Sequence, residues 1–216
     1  MLRWLTRLLF PPKCVLCAGL LDKEQTHFCH RCRTQWEYFS KSKRKITFVA
    51  QWTGVWYYSG DVKNSIRRFK FANARSYATA YAQQLAVKLQ QEEMTDFDIL
   101  SWIPVSPQRK WKRGYDQGEL LAQALSEELG CSYQRVLHKI RDNEPQSGIS
   151  NAAKRRANVQ GAYQVVDPRQ IRGKRILLVD DVITTGSTAL ECGKTLMIGG
   201  ADKVTLAAVA VADKNK

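Results

Sequence analysis

The sequence predicts an α/β fold, a parallel sheet flanked by helices, with a small four-cysteine module at the N-terminus. Ile176 to Val179 form a short apolar run that ends in Asp180 and Asp181, as in a strand covered on both faces. Strand-like and helix-like segments alternate between residues 98 and 210, the pattern of a parallel sheet. Cys14, Cys17, Cys29 and Cys32 form two C-x2-C pairs eleven residues apart. These features divide the chain into residues 1–45, a helix, the cysteine module and a basic linker, and residues 46–216, the α/β domain.

A length of 216 residues allows one substantial core and a small satellite. The net charge of +14 is unevenly spread. Residues 1–72 hold 14 Lys/Arg against 4 Asp/Glu, and the remainder holds 20 against 16. Such a bias favours a polyanionic partner, although a solvated basic surface explains the charge equally well. No apolar run is long enough to span a bilayer, and Arg7 interrupts the only stretch with the look of a signal peptide. Leu2, Leu5, Leu8 and Leu9 share one face of a short amphipathic helix instead, and a cytoplasmic location is expected.

In a reducing compartment, four thiolates at this spacing suit tetrahedral Zn²⁺ better than disulfides. A closed four-sulfur site has no open position, so its role is structural. His27 and His30 are read as loop residues beside it, and Cys131 and Cys192 as ordinary buried thiols.

Along the domain, Lys41 to Lys45 form a basic linker, and Trp52 to Tyr58 is rich in aromatics and predicts a strand pair. Helices are expected over Asp61–Phe71 and Arg75–Gln91, with Leu85 and Leu89 inward, and a strand over Asp98–Val105. A loop from Ser106 then carries Arg109, Lys110, Lys112 and Arg113 to a helix over Gln117–Leu129. In a parallel sheet that loop lies at the carboxyl edge, where ligands bind. Arginines there can clamp a pyrophosphate through paired N–H···O bonds. Residues 141–150, rich in polar residues with Pro145 and Gly148, suit a closing lid or a plain connector. A basic helix is expected over 151–158. The last unit is a strand (Arg175–Asp181), a helix (Ser187–Ile198) and a strand (Lys203–Ala210).

The chemistry concentrates between the first two of these elements. Thr184, Thr185 and Gly186 form a tight turn, and Ser187 and Thr188 open a helix whose free amides can hold a phosphate. Asp180 and Asp181 offer acceptors for neighbouring sugar hydroxyls. Phosphate donors beside diol acceptors describe a ribose 5-phosphate pocket. Paired acids after an apolar strand also occur in magnesium sites of response-regulator-like domains, which would leave the turn unexplained. The run resembles the phosphoribosyl pyrophosphate (PRPP) motif of type I phosphoribosyltransferases.

The whole chain resembles the ComF family of bacterial competence proteins. The likeness rests on Phe10-Pro11-Pro12 with the four cysteines, Phe69-Lys70-Phe71, the Arg113 to Gln117 segment, Gln146, Arg156 with Asn158, and the PRPP motif. Tyr115-Asp116 and Glu144 depart from the Phe-Asn and Thr that family members often carry. The resemblance implies a zinc finger joined to a type I phosphoribosyltransferase-like domain, with a role in natural transformation and the handling of single-stranded DNA. It also implies partners, the ComF helicase-like protein and the DNA-processing protein DprA.

Two functions are then open. In the first, the protein is a pentosyltransferase: Thr184, Thr185, Gly186, Ser187 and Thr188 hold the 5-phosphate of PRPP, and Asp180 and Asp181 hold the ribose hydroxyls. Mg²⁺ bridges pyrophosphate and sugar oxygens, and Arg109, Lys112 and Arg113 stabilise the leaving pyrophosphate. Its acceptor is unknown, and nucleotide salvage is an alternative setting. In the second, the pocket is retained but the protein acts chiefly on single-stranded DNA. Lys43, Arg44, Lys45, Arg67, Arg68 and Lys70 then meet phosphates, with Trp52, Trp56, Tyr57 and Tyr58 as stacking platforms or, more commonly, core residues.

Overall fold

The computed structural model describes residues 11–40, 44–142 and 157–212. The N-terminal amphipathic helix, Lys43, the lid with Glu144 and Gln146, and most of the 151–158 helix fall outside these.

The cysteine module ends in His30–Thr34 (α1), followed by Gln51–Tyr57 (β1), Gly60–Phe71 (α2) and Tyr77–Gln91 (α3). Next come Ile99–Trp102 (β2), Pro107–Arg113 (α4), Gln117–Leu129 (α5), Leu137–Lys139 (β3) and Tyr163–Val165 (β4). Pro168–Ile171 (α6), Arg175–Ile183 (β5), Ser187–Ile198 (α7) and Lys203–Val211 (β6) complete the order. The main sheet runs β1-β6-β5-β2 with every pairing parallel. A separate antiparallel ribbon joins β3 to β4.

The sheet sorts its side chains by strand alternation. In β5, Leu177 and Val179 enter the core shared with α3 and α5, whereas Ile176 and Leu178 enter the core shared with α7 and the ribbon. All four are fully buried, as the apolar run requires. Leu85 and Leu89 of α3 are fully buried as expected.

Three elements differ from expectation. Trp52–Tyr58 is not a strand pair: β1 is one strand laid parallel to β6, with a lone antiparallel bridge from Tyr38 to Trp56. The strand before the basic segment stops at Trp102 because Pro104 has no amide to continue the ladder. The basic segment itself is not a loop. Ser106 caps α4 by accepting the Arg109 amide, Pro107 opens it, and Gly114 ends it at φ 76°. Asp116 then accepts from the Gly118 amide (2.9 Å), the Val105 amide (3.1 Å) and the Trp102 indole (3.3 Å). This single buried carboxylate therefore caps α5 and ties it to the end of β2.

The cysteine module packs into the α3/α5 face of the core through Cys14, Val15, Leu16, Phe28 and Cys32. Phe28 meets Trp36 and Trp56 edge-on, with centroids 4.9 and 6.0 Å apart. Ser65 and Arg68 of α2 donate to the Val15 carbonyl at 2.5 and 3.0 Å. The four sulfurs lie within 4.8 Å of one another, and Cys17 Sγ to Cys29 Sγ is 3.7 Å. A tetrahedral zinc with Zn–S bonds of about 2.3 Å has S···S edges of about 3.8 Å, so the set fits zinc. Amides of Gly19 and Cys32 point at Cys17 Sγ and Cys29 Sγ, as suits sulfurs carrying charge. His27 and His30 are not part of the cluster.

Structural zinc contributes roughly 10–16 kcal/mol in small finger domains, and here the knuckles also carry the Val15 contacts to α2. Purified protein is therefore expected to contain one zinc, and stripping it with a strong chelator should lower the melting temperature and expose residues 13–33 to protease. Metal-free protein with an unchanged melt would remove the structural role.

Candidate functional site

The site forms where β5 ends between the two layers. Because Asp180 and Asp181 are consecutive in an extended strand, their side chains leave opposite faces of the sheet. Asp181 goes to the α2 side, where Lys70 Nζ lies 2.6 Å from its Oδ1. Its Oδ2 is buried with no hydrogen-bond partner among the described residues. A buried carboxylate oxygen left unbonded is costly, and it suits a position that receives a ligand hydroxyl. Asp180 accepts the Asp181 amide at 2.8 Å and lies within electrostatic reach of Cys192 of α7 and Lys139 of β3. Burial pushes its carboxyl up to about 8, the Asp181 charge adds to the rise, and Lys70 opposes it.

Immediately beyond, Gly186 takes φ 78° and forms the N-cap of α7 with no side chain capping it. The Ser187 amide donates to Thr185 Oγ1 at 3.4 Å, and the following first-turn amides of α7 face the turn beside that hydroxyl and Ser187 Oγ, which are 2.8 Å apart. A cavity of about 210 Å³ lies here, lined by Lys45, Ile46, Thr47, Thr185, Gly186, Ser187 and Leu190. Any larger residue at 186 would place its Cβ 3.1 Å from Ile46, as well as straining the backbone. Thr184 offers its carbonyl to Arg44 at 2.6 Å, and Thr188 is half-buried in the first turn of α7.

The cations of α4 divide. Arg113 stacks 4.9 Å over Phe71, donates to Gln117 at 2.6 Å and feels the charge of Asp181. Burial pulls its guanidinium below the usual range, and Asp181 opposes that fall. Arg109 approaches Asp142 at 3.8 Å, and its charge reaches both Arg113 and Lys139. Lys110 instead pairs with Glu119 at 2.7 Å, and Lys112 is exposed. Tyr115 uses its hydroxyl to bond the Phe69 carbonyl and so joins the α4–α5 turn to α2.

The expected DNA contacts are scattered rather than gathered. Arg44 lies 4.8 Å over Trp52 beside the turn that begins at Thr184, and Lys45 lines the cavity. Arg67 is exposed, Arg68 holds the cysteine module, and Lys70 serves Asp181. Trp56 is fully buried and Trp52 stacks on Phe39, so these two aromatics are core residues. Three site residues are not legible as such in the sequence: Lys70 as the partner of Asp181, Lys139, and Asp142, which accepts the Ser106 hydroxyl at 2.5 Å. Only the apposition of separate elements identifies them, although the Phe69-Lys70-Phe71 run is a visible signal for the first.

An aspartate whose pKa is raised by folding holds its proton more tightly in the folded chain, so stability falls as pH rises from about 4 to about 8 and then levels off. Asp180→Asn removes that loss. The variant should melt several degrees above the parent at pH 8, with the difference vanishing near pH 4, by calorimetry across that window. A pH-independent difference would show that Asp180 is not the titrating group.

Residues 116–216 match the family model described as the phosphoribosyl transferase domain. Competence protein F of Haemophilus influenzae is 27% identical over 89% of this chain and 93% of its own length. Competence protein ComFC of Bacillus subtilis is 25% identical over 87% of this chain and 78% of its own length. DNA utilization protein YhgH of Escherichia coli K12 is 30% identical over 68% of this chain, and the chain spans 66% of that protein. Together with the parallel sheet and the four-cysteine cluster, these likenesses have one common origin: the chain belongs to the ComF family.

Proposed function

We propose that this protein binds PRPP at the carboxyl edge of its sheet and serves natural transformation, where incoming single-stranded DNA is handled. The observation that carries the first part is the unpartnered, buried Oδ2 of Asp181 a few residues before a helix start whose N-cap, Gly186, has no capping side chain. A phosphorylated pentose has the two groups that this pairing wants: a dianion for the amides of residues 185–188 and a vicinal diol for the acids. Asp181, ion-paired with Lys70, accepts from a hydroxyl. Asp180, protonated near neutrality, can both donate and accept.

Arg109 and Arg113, on the inward side of α4, would meet the 1-pyrophosphate in this reading, with Lys112 exposed on the same helix. Among the described residues no third carboxylate joins the acid pair, so a divalent ion would enter on the ligand rather than in a protein cage. Mg²⁺ supplies charge neutralisation on the pyrophosphate when bound. The chain's own residues orient the sugar, fix its phosphate and receive the charge that develops as pyrophosphate leaves. Transfer to an acceptor is the reaction this arrangement suits; a binding protein that senses PRPP uses the same contacts.

A second observation favours the nucleic-acid part of the reading. Trp111 is 87% exposed on α4 between Lys110 and Lys112, a combination that stacks a base and holds phosphates. The names of the relatives, competence protein and DNA utilization protein, point the same way.

PRPP with Mg²⁺ at a hundredfold excess over its Kd should stabilise the protein by about 2.7 kcal/mol in a thermal-shift assay. Asp181→Asn should lose most of that shift, and an unresponsive melt in the parent would remove the PRPP reading. Pyrophosphate release then separates a transferase from a sensor. Oligonucleotide affinity should fall steeply with salt and weaken in Trp111→Ala; a flat salt response would exclude phosphate contacts.

A further inference from the structure

Residues 44–49, between the cysteine module and β1, lie along the turn that follows β5 and along the start of α7. Ile46 is buried, and a Cβ at Gly186 would come within 3.1 Å of it. Two turns further along the helix, a Cβ at Gly193 would meet the Phe48 carbonyl at 2.7 Å, so this backbone rests directly on α7. The Ile46 carbonyl accepts the Val49 amide at 3.1 Å, which closes the stretch into a turn of its own.

Arg44 opens this stretch and is held at three points. Its carbonyl accepts the Trp52 indole N–H at 2.9 Å, and its guanidinium carbon lies 4.8 Å over the Trp52 ring. Its Nη1 donates to the Thr184 carbonyl at 2.6 Å, across 140 residues of sequence. Trp52 is itself stacked on Phe39, with centroids 5.5 Å apart. A planar guanidinium can stack on an indole and donate in its own plane at once, which an ammonium does not do. The arginine is thereby aimed at the peptide that begins the turn before α7.

A trans peptide carries its C=O and N–H on opposite edges. With the Thr184 oxygen drawn toward Arg44, the Thr185 amide points the other way. Among the described residues that amide donates to no acceptor, whereas the Ser187 amide is taken by Thr185 Oγ1 at 3.4 Å. Thr185 and Ser187 line the cavity of about 210 Å³, whose other wall is Lys45, Ile46 and Thr47.

We propose that Arg44 is a positioning residue: by holding the Thr184 carbonyl, it fixes the 184–185 peptide so that the Thr185 amide donates to a phosphate in this cavity. That the phosphate belongs to a pentose rests on the PRPP reading; the hold on the peptide does not. Arg44 acts through the turn without touching the ligand, in place of the nucleic-acid contact expected from its charge. Rotation of the peptide would turn a carbonyl oxygen toward the anion, so loss of the arginine exchanges an attraction for a repulsion.

The test uses the whole chain, zinc-loaded and isotope-labelled at threonine nitrogen, as parent, Arg44→Met and Arg44→Lys. Methionine keeps an apolar stem over Trp52 without a donor, and lysine keeps a donor. Inorganic phosphate, ribose 5-phosphate and PRPP with Mg²⁺ are titrated by calorimetry and by amide NMR, with the Thr185 signal assigned through Thr185→Ser. In the parent, ribose 5-phosphate should move that signal downfield. Arg44→Met should displace it before any ligand is added, abolish the downfield response and bind ribose 5-phosphate about tenfold more weakly. Arg44→Lys should recover most of the affinity. Undiminished affinity in Arg44→Met overturns the proposal. Weakened binding with an undisplaced signal in the unliganded variant does so too, since it would make Arg44 a direct contact. Should Arg44→Met not fold, Arg44→Gln, too short to reach the carbonyl, takes its place with the same expectation. Weaker oligonucleotide binding in Arg44→Met, with a salt slope smaller by about one and intact ribose 5-phosphate binding, returns the residue to nucleic acid and also overturns the proposal. Arg44-dependent binding of inorganic phosphate, with neither sugar ligand bound, keeps the positioning role and removes the PRPP reading. PRPP binding that is indifferent to Arg44 does the reverse, and binding of none of the three removes both.

Discussion

Two adjacent carboxylates near the end of β5, Asp181 buried and Asp180 half-buried, set the terms for everything around them. Consecutive strand residues point to opposite faces, so no single counter-charge can serve both. The fold answers differently on each side. Lys70, from the end of α2, gives Asp181 a direct ion pair at 2.6 Å. Asp180 has no such ion pair among the described residues, and burial raises its pKa instead. The two acids thereby sit in unlike environments, one ion-paired and the other raised in pKa.

The cysteine module bears on this arrangement through α2. Its knuckle carbonyls at Val15 and Leu16 are the acceptors for Ser65 and Arg68, which share the helix with Lys70. Phe69, beside that lysine, is fully buried, and its carbonyl receives the Tyr115 hydroxyl from the α4–α5 turn. The helix that presents Lys70 is therefore held at one flank by the module and at the other by the segment that bears Arg113. A cysteine cluster remote from the acid pair can in this way still fix the position of the lysine that meets Asp181.

The neighbourhood of α4 shows how local and tertiary information differ. Its start and stop are implicit in Ser106-Pro107 and Gly114, yet the density of cations suggests a loop. Helical geometry then separates residues that look equivalent in the chain: Arg109 and Arg113 lie one turn apart and face inward, whereas Lys110, Trp111 and Lys112 face outward. Asp116 has a comparable double character. As a neighbour of Gly114 it suggests a ligand loop, but four donors from two elements make it a structural cap.

The parallel α/β class, the four-cysteine cluster and the acid-turn-helix unit are all legible in the order of residues, because each depends on near neighbours with a regular period or spacing. The apolar run of β5, the glycine at 186 and the C-x2-C pairs are signals of that kind. Which cations reach the acids is a different matter, settled only when the layers pack. Lys70 and Lys139 come from α2 and β3, far from β5 along the chain, and nothing in their local sequence separates Lys139 from a solvated lysine. Their roles arise from desolvation and apposition, which are properties of the packed chain: burial raises the cost of each charge, and the groups that share that burial become one another's partners.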